Sequence, residues 1–243
     1  MTQGISVFFP AYNDEASIAG LVGDALALLP ELTDDFEVIV VNDGSTDATR
    51  AVLDGLEREL PRLRVVHHES NRGYGGALRT GFASATKELI FYTDGDGQYD
   101  VRELARLRPL LREGVDIVNG YKIKRADGWQ RKALGAAYNR LAHLLFSIPI
   151  RDVDCDFRLI RRRVVGRVEL VSSSGSICVE LVHKLQRAGC VFAEAPVHHY
   201  PRAHGRSQFF TPARVARTAL ELLSLWAKVA APGRRRRGAG AAA

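Results

Sequence analysis

The sequence predicts an α/β fold in which a mostly parallel central sheet is flanked by helices, and three observations point there. β-rich runs alternate with helix-length segments through the first half of the chain. Polar, acidic loops follow several of those runs. The 243 residues are 46% hydrophobic and 26% charged, which supplies apolar material for one sizeable core and is the wrong composition for a disordered chain.

Residues 5–9, 36–41, 63–67, 88–92 and 115–118 are rich in β-branched and aromatic side chains and read as strands. Between the first two, Ile18, Leu21, Val22, Ala25, Leu26 and Leu29 recur at intervals of three and four and make one apolar helical face; residues 51–60 repeat the pattern. Such alternation builds a parallel sheet covered by helices. In the second half, residues 133–148 are apolar apart from a stripe of Asn139, Arg140, His143 and Ser147, which predicts a helix that is either buried or presents apolar surface. Residues 176–188 read as a further helix, 190–197 as a strand and 198–208 as a basic loop. From Pro212, the polar residues Arg214, Arg217, Glu221, Ser224 and Lys228 fall at alternating intervals of three and four on an otherwise apolar segment containing Trp226. That is the pattern of an amphipathic helix, and the run Arg234 to Arg237 follows it.

Ligands of an open parallel sheet gather beyond the carboxyl ends of its strands. Pro10-Ala11-Tyr12-Asn13-Asp14 follows the first strand, Asn42-Asp43-Gly44-Ser45-Thr46-Asp47 the second and Asp94-Gly95-Asp96-Gly97-Gln98 the fourth, so three acidic loops should line one edge. Two carboxylates one residue apart on a tight turn can approach one hard divalent cation, while Gly95 and Gly97 keep bulk away from phosphates. Alone, Asp-Gly-Asp-Gly is a turn signal; its place after an apolar strand makes it a candidate metal site. Asp43 sits where a carboxylate can accept hydrogen bonds from a base or ribose, whereas Thr46 or Asp47 is placed to cap the next helix. Asn71-Arg72-Gly73-Tyr74-Gly75-Gly76-Ala77 lacks both G-x-G-x-x-G and the Gly-Lys-Ser/Thr ending of a P-loop, and its glycines are expected to let a helix begin close beneath the ligand.

Taken in order, Phe9 to Glu15, Val41 to Asp47, Asn71 to Gly76 and Asp94 to Gln98 resemble the inverting glycosyltransferases of family 2, which have the Rossmann-like GT-A fold. Dolichol- and polyprenyl-phosphate glycosyltransferases, including dolichol-phosphate mannose synthases, are the nearest in pattern. The resemblance extends to Asp154-Cys155-Asp156-Phe157-Arg158-Leu159, similar to an acceptor loop, and to Arg202-Ala203-His204-Gly205-Arg206-Ser207, so it covers about residues 4 to 210. Two positions depart from the family pattern: Gln208 stands where Lys is frequent and Cys155 where Gly is common.

The resemblance implies a nucleotide-sugar donor (GDP- or UDP-linked), Mg²⁺ or Mn²⁺, and a polyprenyl phosphate acceptor. Pro10, Ala11, Tyr12, Asp14, Asp43, Gly73, Asp94, Gly95 and Lys122 are expected at the nucleotide-sugar, and Asp94, Asp96 and Gln98 at the metal. The catalytic set is Asp156, as base, with Asp96, Arg131, Arg158, Arg202 and Arg206; the arginines are chosen from the basic residues near the motifs because an acceptor dianion needs forked cationic donors. A phosphate monoester has a second pKa of about 6 and is already ionised near neutral pH, so Asp156 has an alternative role in orienting the acceptor or a cationic side chain. Residues 1–210 are read as the catalytic domain, 211–231 as an amphipathic, membrane-interfacial helix and 232–243 as a basic, disordered tail.

Net charge and cysteines bound the partners and the compartment. With 34 Lys and Arg against 28 Asp and Glu, the formal charge of +6 favours an anionic partner, and no nucleic-acid recognition motif is present. Cys155, Cys178 and Cys190 lack zinc-ligand spacing and read as reduced core thiols of a cytosolic protein. Neither a signal-peptide pattern nor a run of about 20 apolar residues is found. The expected location is cytoplasmic and peripheral, at the inner face of the cell membrane, with oligomerisation left open. Two competing functions are a family 2 transferase acting on a soluble or polysaccharide hydroxyl, and a non-catalytic nucleotide-sugar-binding relative. The second should have lost one of the acidic loops, and all three are intact.

Overall fold

The computed structural model describes residues 3–123, 129–202 and 212–230, with side chains described from residue 135 in the helix that starts at Trp129 and over 218–227 in the helix that starts at Pro212. Among the described residues, β1 (Ile5–Ala11), β2 (Phe36–Asn42), β3 (Leu63–His67), β4 (Leu89–Thr93), β5 (Ile117–Ile123), β6 (Phe157–Arg161) and β7 (Phe192–His198) form one sheet in the order β3-β2-β1-β4-β6-β5-β7. The helices are α1 (Ile18–Leu32), α2 (Thr49–Glu59), α3 (Tyr74–Ser84), α4 (Leu104–Leu107), α5 (Trp129–Phe146), α6 (Arg162–Val165), α7 (Ser176–Arg187) and α8 (Pro212–Ala230).

All seven residues of β1 are buried, as a strand covered on both faces requires. Its two-residue period sends Ile5, Val7, Phe9 and Ala11 into the core shared with α1 and α4, and Phe8 into the opposite core shared with α3 and α7. There Phe8, Phe82 and Tyr92 form an aromatic cluster with ring centroids 5.2–5.4 Å apart; such pairs contribute about 0.5–1.5 kcal/mol each beyond their buried area. A third core joins α5, α7 and α8 through Ala142, Phe146, Val179, Val182, Leu222 and Leu225.

The sheet is mostly parallel, as expected, with one strand reversed. Residues 154–159 resemble an acceptor loop in sequence, and the last three of them begin β6, which runs antiparallel to both β4 and β5. The reversal matters for position. Thr93 pairs with Phe157, so the start of β6 lies beside the end of β4 and delivers Asp156 to the edge where β1, β2 and β4 terminate.

The two helices left open by the sequence are half covered. Helix α8 buries Leu222 and Leu225 and exposes Leu220, Leu223 and Trp226, while α5 buries Ala142 and Phe146 and exposes Leu144. Among the described residues, no helix is long and apolar enough to cross a membrane. The tail 232–243 lies outside the described residues.

Candidate functional site

The loops after β1 and β2 interlock. Asn13 adopts a left-handed backbone (φ 58°), donates its amide to Ser45 Oγ (3.0 Å) and accepts from the Thr46 amide (2.8 Å). Asp14 N donates to Thr49 Oγ1 (2.9 Å), and the Ala48 amide donates to Glu15 (2.6 Å). The N-cap of α2 is Ala48 rather than the expected Thr46 or Asp47, and Asp47, one residue earlier, accepts from the Thr49 amide (3.0 Å).

The loop after β4 presses against this pair. Gly95 N donates to Pro10 O (3.1 Å), and a Cβ on Gly95 would come within 2.7 Å of that oxygen and 3.3 Å of Asp14 Oδ2. Only glycine admits the approach, which gathers Pro10, Ala11, Tyr12, Asp14, Asp94 and Asp96 at one edge. Asp14 Oδ2 accepts from the Tyr12 amide (2.9 Å), and Tyr74 Oη donates to Asp94 Oδ1 (2.7 Å).

Asp156 completes a cluster of four carboxylates. Its Oδ1 accepts from Arg158 (2.9 Å) and from the Cys178 thiol (3.0 Å). Asp96 pairs with Arg202, and Lys122 Nζ donates to Asp154 O (2.6 Å) while lying 3.9 Å from Asp152 Oδ2. Asp14 and Asp94 have no direct cationic partner among the described residues. Burial, then the charges of Asp156 and Asp96, push the Asp94 carboxyl well above its usual range. Burial, with Asp96 adding to it, pushes Asp14 up to about 6.

This electrostatic tension tests whether a divalent cation fits. Carboxylate oxygens are the donors that Mg²⁺ and Mn²⁺ prefer, and two of the four are uncompensated. Among the described residues no group of three or more His, Cys, Asp or Glu is placed to hold a metal ion, so a cation here would take one or two of these carboxylates, with ligand oxygens completing its coordination. Two orphaned donors belong to residues near these carboxylates: Arg202, which pairs with Asp96, and Tyr138, on which the charges of Asp154 and Asp156 act, leave Nε and Oη buried without partners among the described residues. A phosphate oxygen would satisfy either one.

Asp14 yields a prediction for the metal-free protein. A carboxyl whose folded pKa is raised binds more protons folded than unfolded, so its contribution to stability falls as pH rises from 3.8 through about 6. Two units correspond to about 3 kcal/mol. Relative to wild type, Asp14→Asn should therefore gain about 2.4 kcal/mol between about pH 4 and pH 7.5. Urea unfolding at the two pH values checks this; an equal difference at both would refute it.

Other expected residues take distinct places. Asp43 is buried and its Oδ1 accepts from His68 Nδ1 (2.6 Å) and the Arg72 amide (2.8 Å), while His68 Nε2 meets Thr80 Oγ1 (2.9 Å). Gln98 donates its amide to Tyr200 O (3.0 Å) and accepts the Tyr200 amide on its own carbonyl (2.8 Å), docking residues 200–202 beside Asp96. Gly73 has φ 78°, and its Cβ would meet Ser173 O at 2.4 Å; the close approach that the glycine loop permits is to the Ser172–Ser173 backbone. Arg158 is 1% exposed and spans Asn119, Tyr92, Asp156 and Val153 O, so it braces the cluster from beneath rather than facing an acceptor. Arg206 and the side chain of Arg131 lie outside the described residues.

Sequence reasoning missed Tyr74, His68, Tyr138 and the polar use of Cys178. Only Tyr74 carried a signal, as the one aromatic inside the glycine loop.

The arrangement is that of the GT-A fold. Glucosyl-3-phosphoglycerate synthase from Mycobacterium tuberculosis, in complex with Mn²⁺, UDP and glucosyl-3-phosphoglycerate, matches with a TM-score of 0.73 and 20% identity over 96% of this chain and 82% of its own. A mannosyltransferase from Pyrobaculum calidifontis in complex with GDP-Man and Mn²⁺ matches at 0.70 and 22% identity, over 96% of this chain and 66% of its own. The chain belongs to glycosyl transferase family 2, whose model matches residues 6–168. Among curated relatives, the undecaprenyl-phosphate 4-deoxy-4-formamido-L-arabinose transferase of Aeromonas hydrophila subsp. hydrophila is 29% identical over 206 residues. Its counterpart in Enterobacter sp. (strain 638) is 30% identical over 207 residues. Each alignment spans 84% of this chain but 62% of the relative's length.

Proposed function

We propose that the protein is an inverting hexosyltransferase that moves a sugar from a nucleotide diphosphate to a polyprenyl phosphate at the cytosolic face of the membrane. The convergence of Asp14, Asp94, Asp96 and Asp156, with unpartnered donors on Arg202 and Tyr138 nearby, carries this reading. The curated relatives act on undecaprenyl phosphate and support the choice of acceptor.

Asp94 and Asp96 would hold Mg²⁺ or Mn²⁺, which neutralises charge developing on the departing diphosphate. Tyr74 fixes the Asp94 carboxylate, and Arg202 fixes Asp96 while offering Nε to a phosphate oxygen. Tyr12, Asp14 and the buried Asp43 shape the nucleotide end. Asp156, held by Arg158 and Cys178 on one oxygen, orients the acceptor whose oxygen attacks the anomeric carbon from the face opposite the diphosphate. The exposed apolar residues of α5 and α8 bring this edge to the bilayer, and the Arg234 to Arg237 run adds attraction of on the order of 1 kcal/mol per charge to anionic lipid.

Incubation with radiolabelled GDP- and UDP-sugars, Mg²⁺ or Mn²⁺ and a short polyprenyl phosphate in detergent should yield labelled lipid with one donor. No labelled lipid with any donor would overturn the proposal. Because the acceptor phosphate is ionised above its second pKa of about 6, Asp156→Asn is expected to lower kcat roughly 10- to 100-fold without changing the shape of the pH–rate profile. Loss of the profile's acidic limb in that variant would instead make Asp156 a general base and favour a hydroxyl acceptor.

A further inference from the structure

We infer that the cavity between the end of α5, the last turns of α7 and Trp226 of α8 binds a phospholipid headgroup with N–H donors beside its phosphate, and that phosphoethanolamine is the fit. The inference rests on the membrane-facing reading of α5 and α8 and goes further by naming a lipid and the side chains that select it.

The cavity has a volume of about 400 Å³ and its walls include Phe146, Ser147, His183, Gln186, Arg187 and Trp226, none of which belongs to the acid cluster. Small-ligand pockets run from roughly 300 to 1,000 Å³. His183 is 8% exposed, and its Nδ1 lies 3.1 Å from Phe146 O. A carbonyl only accepts, so Nδ1 carries the proton and Nε2 presents a lone pair. Gln186 donates its amide nitrogen to Ser147 O (3.0 Å), which leaves Oε1 as an acceptor. Both His183 Nε2 and Gln186 Oε1 are buried without a partner among the described residues, and buried acceptors in native folds nearly always have a donor. Burial, with the charges of Arg187 and Lys184, keeps His183 below its usual range and so in the neutral form that accepts.

Two acceptors call for a ligand bearing at least two N–H or O–H donors, more than the single O–H of a hydrogen phosphate dianion supplies. Arg187 stands exposed beside them and makes no ion pair with any described residue; a guanidinium suits a phosphate. Trp226, 41% exposed, adds a ring face that attracts an ammonium group. Leu144, 73% exposed, on α5 and the exposed Leu220 and Leu223 on α8 add apolar surface for acyl chains on the two helices that border the cavity. Phosphoethanolamine sets its phosphate on Arg187 and its ammonium hydrogens on His183 and Gln186, whereas choline has methyl groups in place of those hydrogens.

Vesicle flotation of the full chain tests the site by comparing phosphatidylcholine alone with an equal mixture of phosphatidylcholine and phosphatidylethanolamine. Binding should be about tenfold tighter to the mixture. His183→Phe and Gln186→Leu should erase that preference, and Arg187→Gln, on the exposed rim, should weaken it without touching the core. Sugar transfer to a detergent-dispersed acceptor should be unchanged in all three variants, which separates this test from that of the proposed reaction. Equal binding to both vesicles would overturn the headgroup site while leaving membrane docking standing. Binding to neither would overturn the membrane-facing reading and this site with it.

Discussion

Asp94→Asn is expected to abolish sugar transfer, with kcat/KM falling about 10³-fold or more, while making the metal-free protein more stable. The two effects share one cause. A divalent cation supplies several kcal/mol of transition-state charge stabilisation, and each 1.36 kcal/mol is tenfold in rate. The carboxylate that would hold it is half-buried, and desolvation, then the charges of Asp156 and Asp96, push its carboxyl well above the usual range. A raised carboxyl destabilises the folded state once pH climbs past its unfolded value, and the penalty reaches its full size above the folded one. Asparagine removes the charge and keeps an oxygen for the Tyr74 hydroxyl, which donates to Asp94 Oδ1 at 2.7 Å. Thermal unfolding at neutral pH should therefore show a higher midpoint without metal, together with loss of the stabilisation that Mn²⁺ and a nucleoside diphosphate give wild type. An inactive variant with an unchanged Mn²⁺ response would place the metal elsewhere. An unstable one would mean that the carboxylate is needed for folding.

The Asp14, Asp43 and Asp94 part of the candidate site was legible because it is written locally. Asp14, Asp43 and Asp94 each follow a strand whose apolar run is unmistakable, and strand direction then places all three at one edge. The part around Asp156 depends on pairings that no local pattern encodes. In β6, Phe157 and Leu159 point to one core and Arg158 occupies the alternate position where an apolar residue is expected, so a five-residue strand with a buried arginine reads as a basic loop. Cys178 looked like packing and is buried as such. Its thiol reaches Asp156 only because α7 crosses beneath the start of β6. His68 gives no sign in sequence that it will lie between Asp43 and Thr80. The glycine loop was correctly expected to open a helix, but what comes close to it is the backbone at Ser172 and Ser173, roughly a hundred residues away.

Arg158→Met is expected to lower the unfolding free energy by about 3–5 kcal/mol, because removing one member of a buried ion pair strands the other. The guanidinium is 1% exposed and donates to Asn119 Oδ1, Tyr92 Oη, Asp156 Oδ1 and Val153 O. It thereby ties the aromatic cluster of Phe8, Phe82 and Tyr92 to the start of β6. In a chain of this size that loss moves the melting midpoint by roughly 10 °C. If the stranded Asp156 charge is the main cause, adding Asp156→Asn should recover part of the loss, giving a coupling of about 1–3 kcal/mol in a double-mutant cycle. Additivity within about 0.5 kcal/mol would instead assign the effect to the Asn119, Tyr92 and Val153 contacts and leave Asp156 independent of its arginine. The cycle also bears on function. A carboxylate coupled this strongly to a buried guanidinium keeps a fixed orientation at the edge where β1, β2 and β4 end.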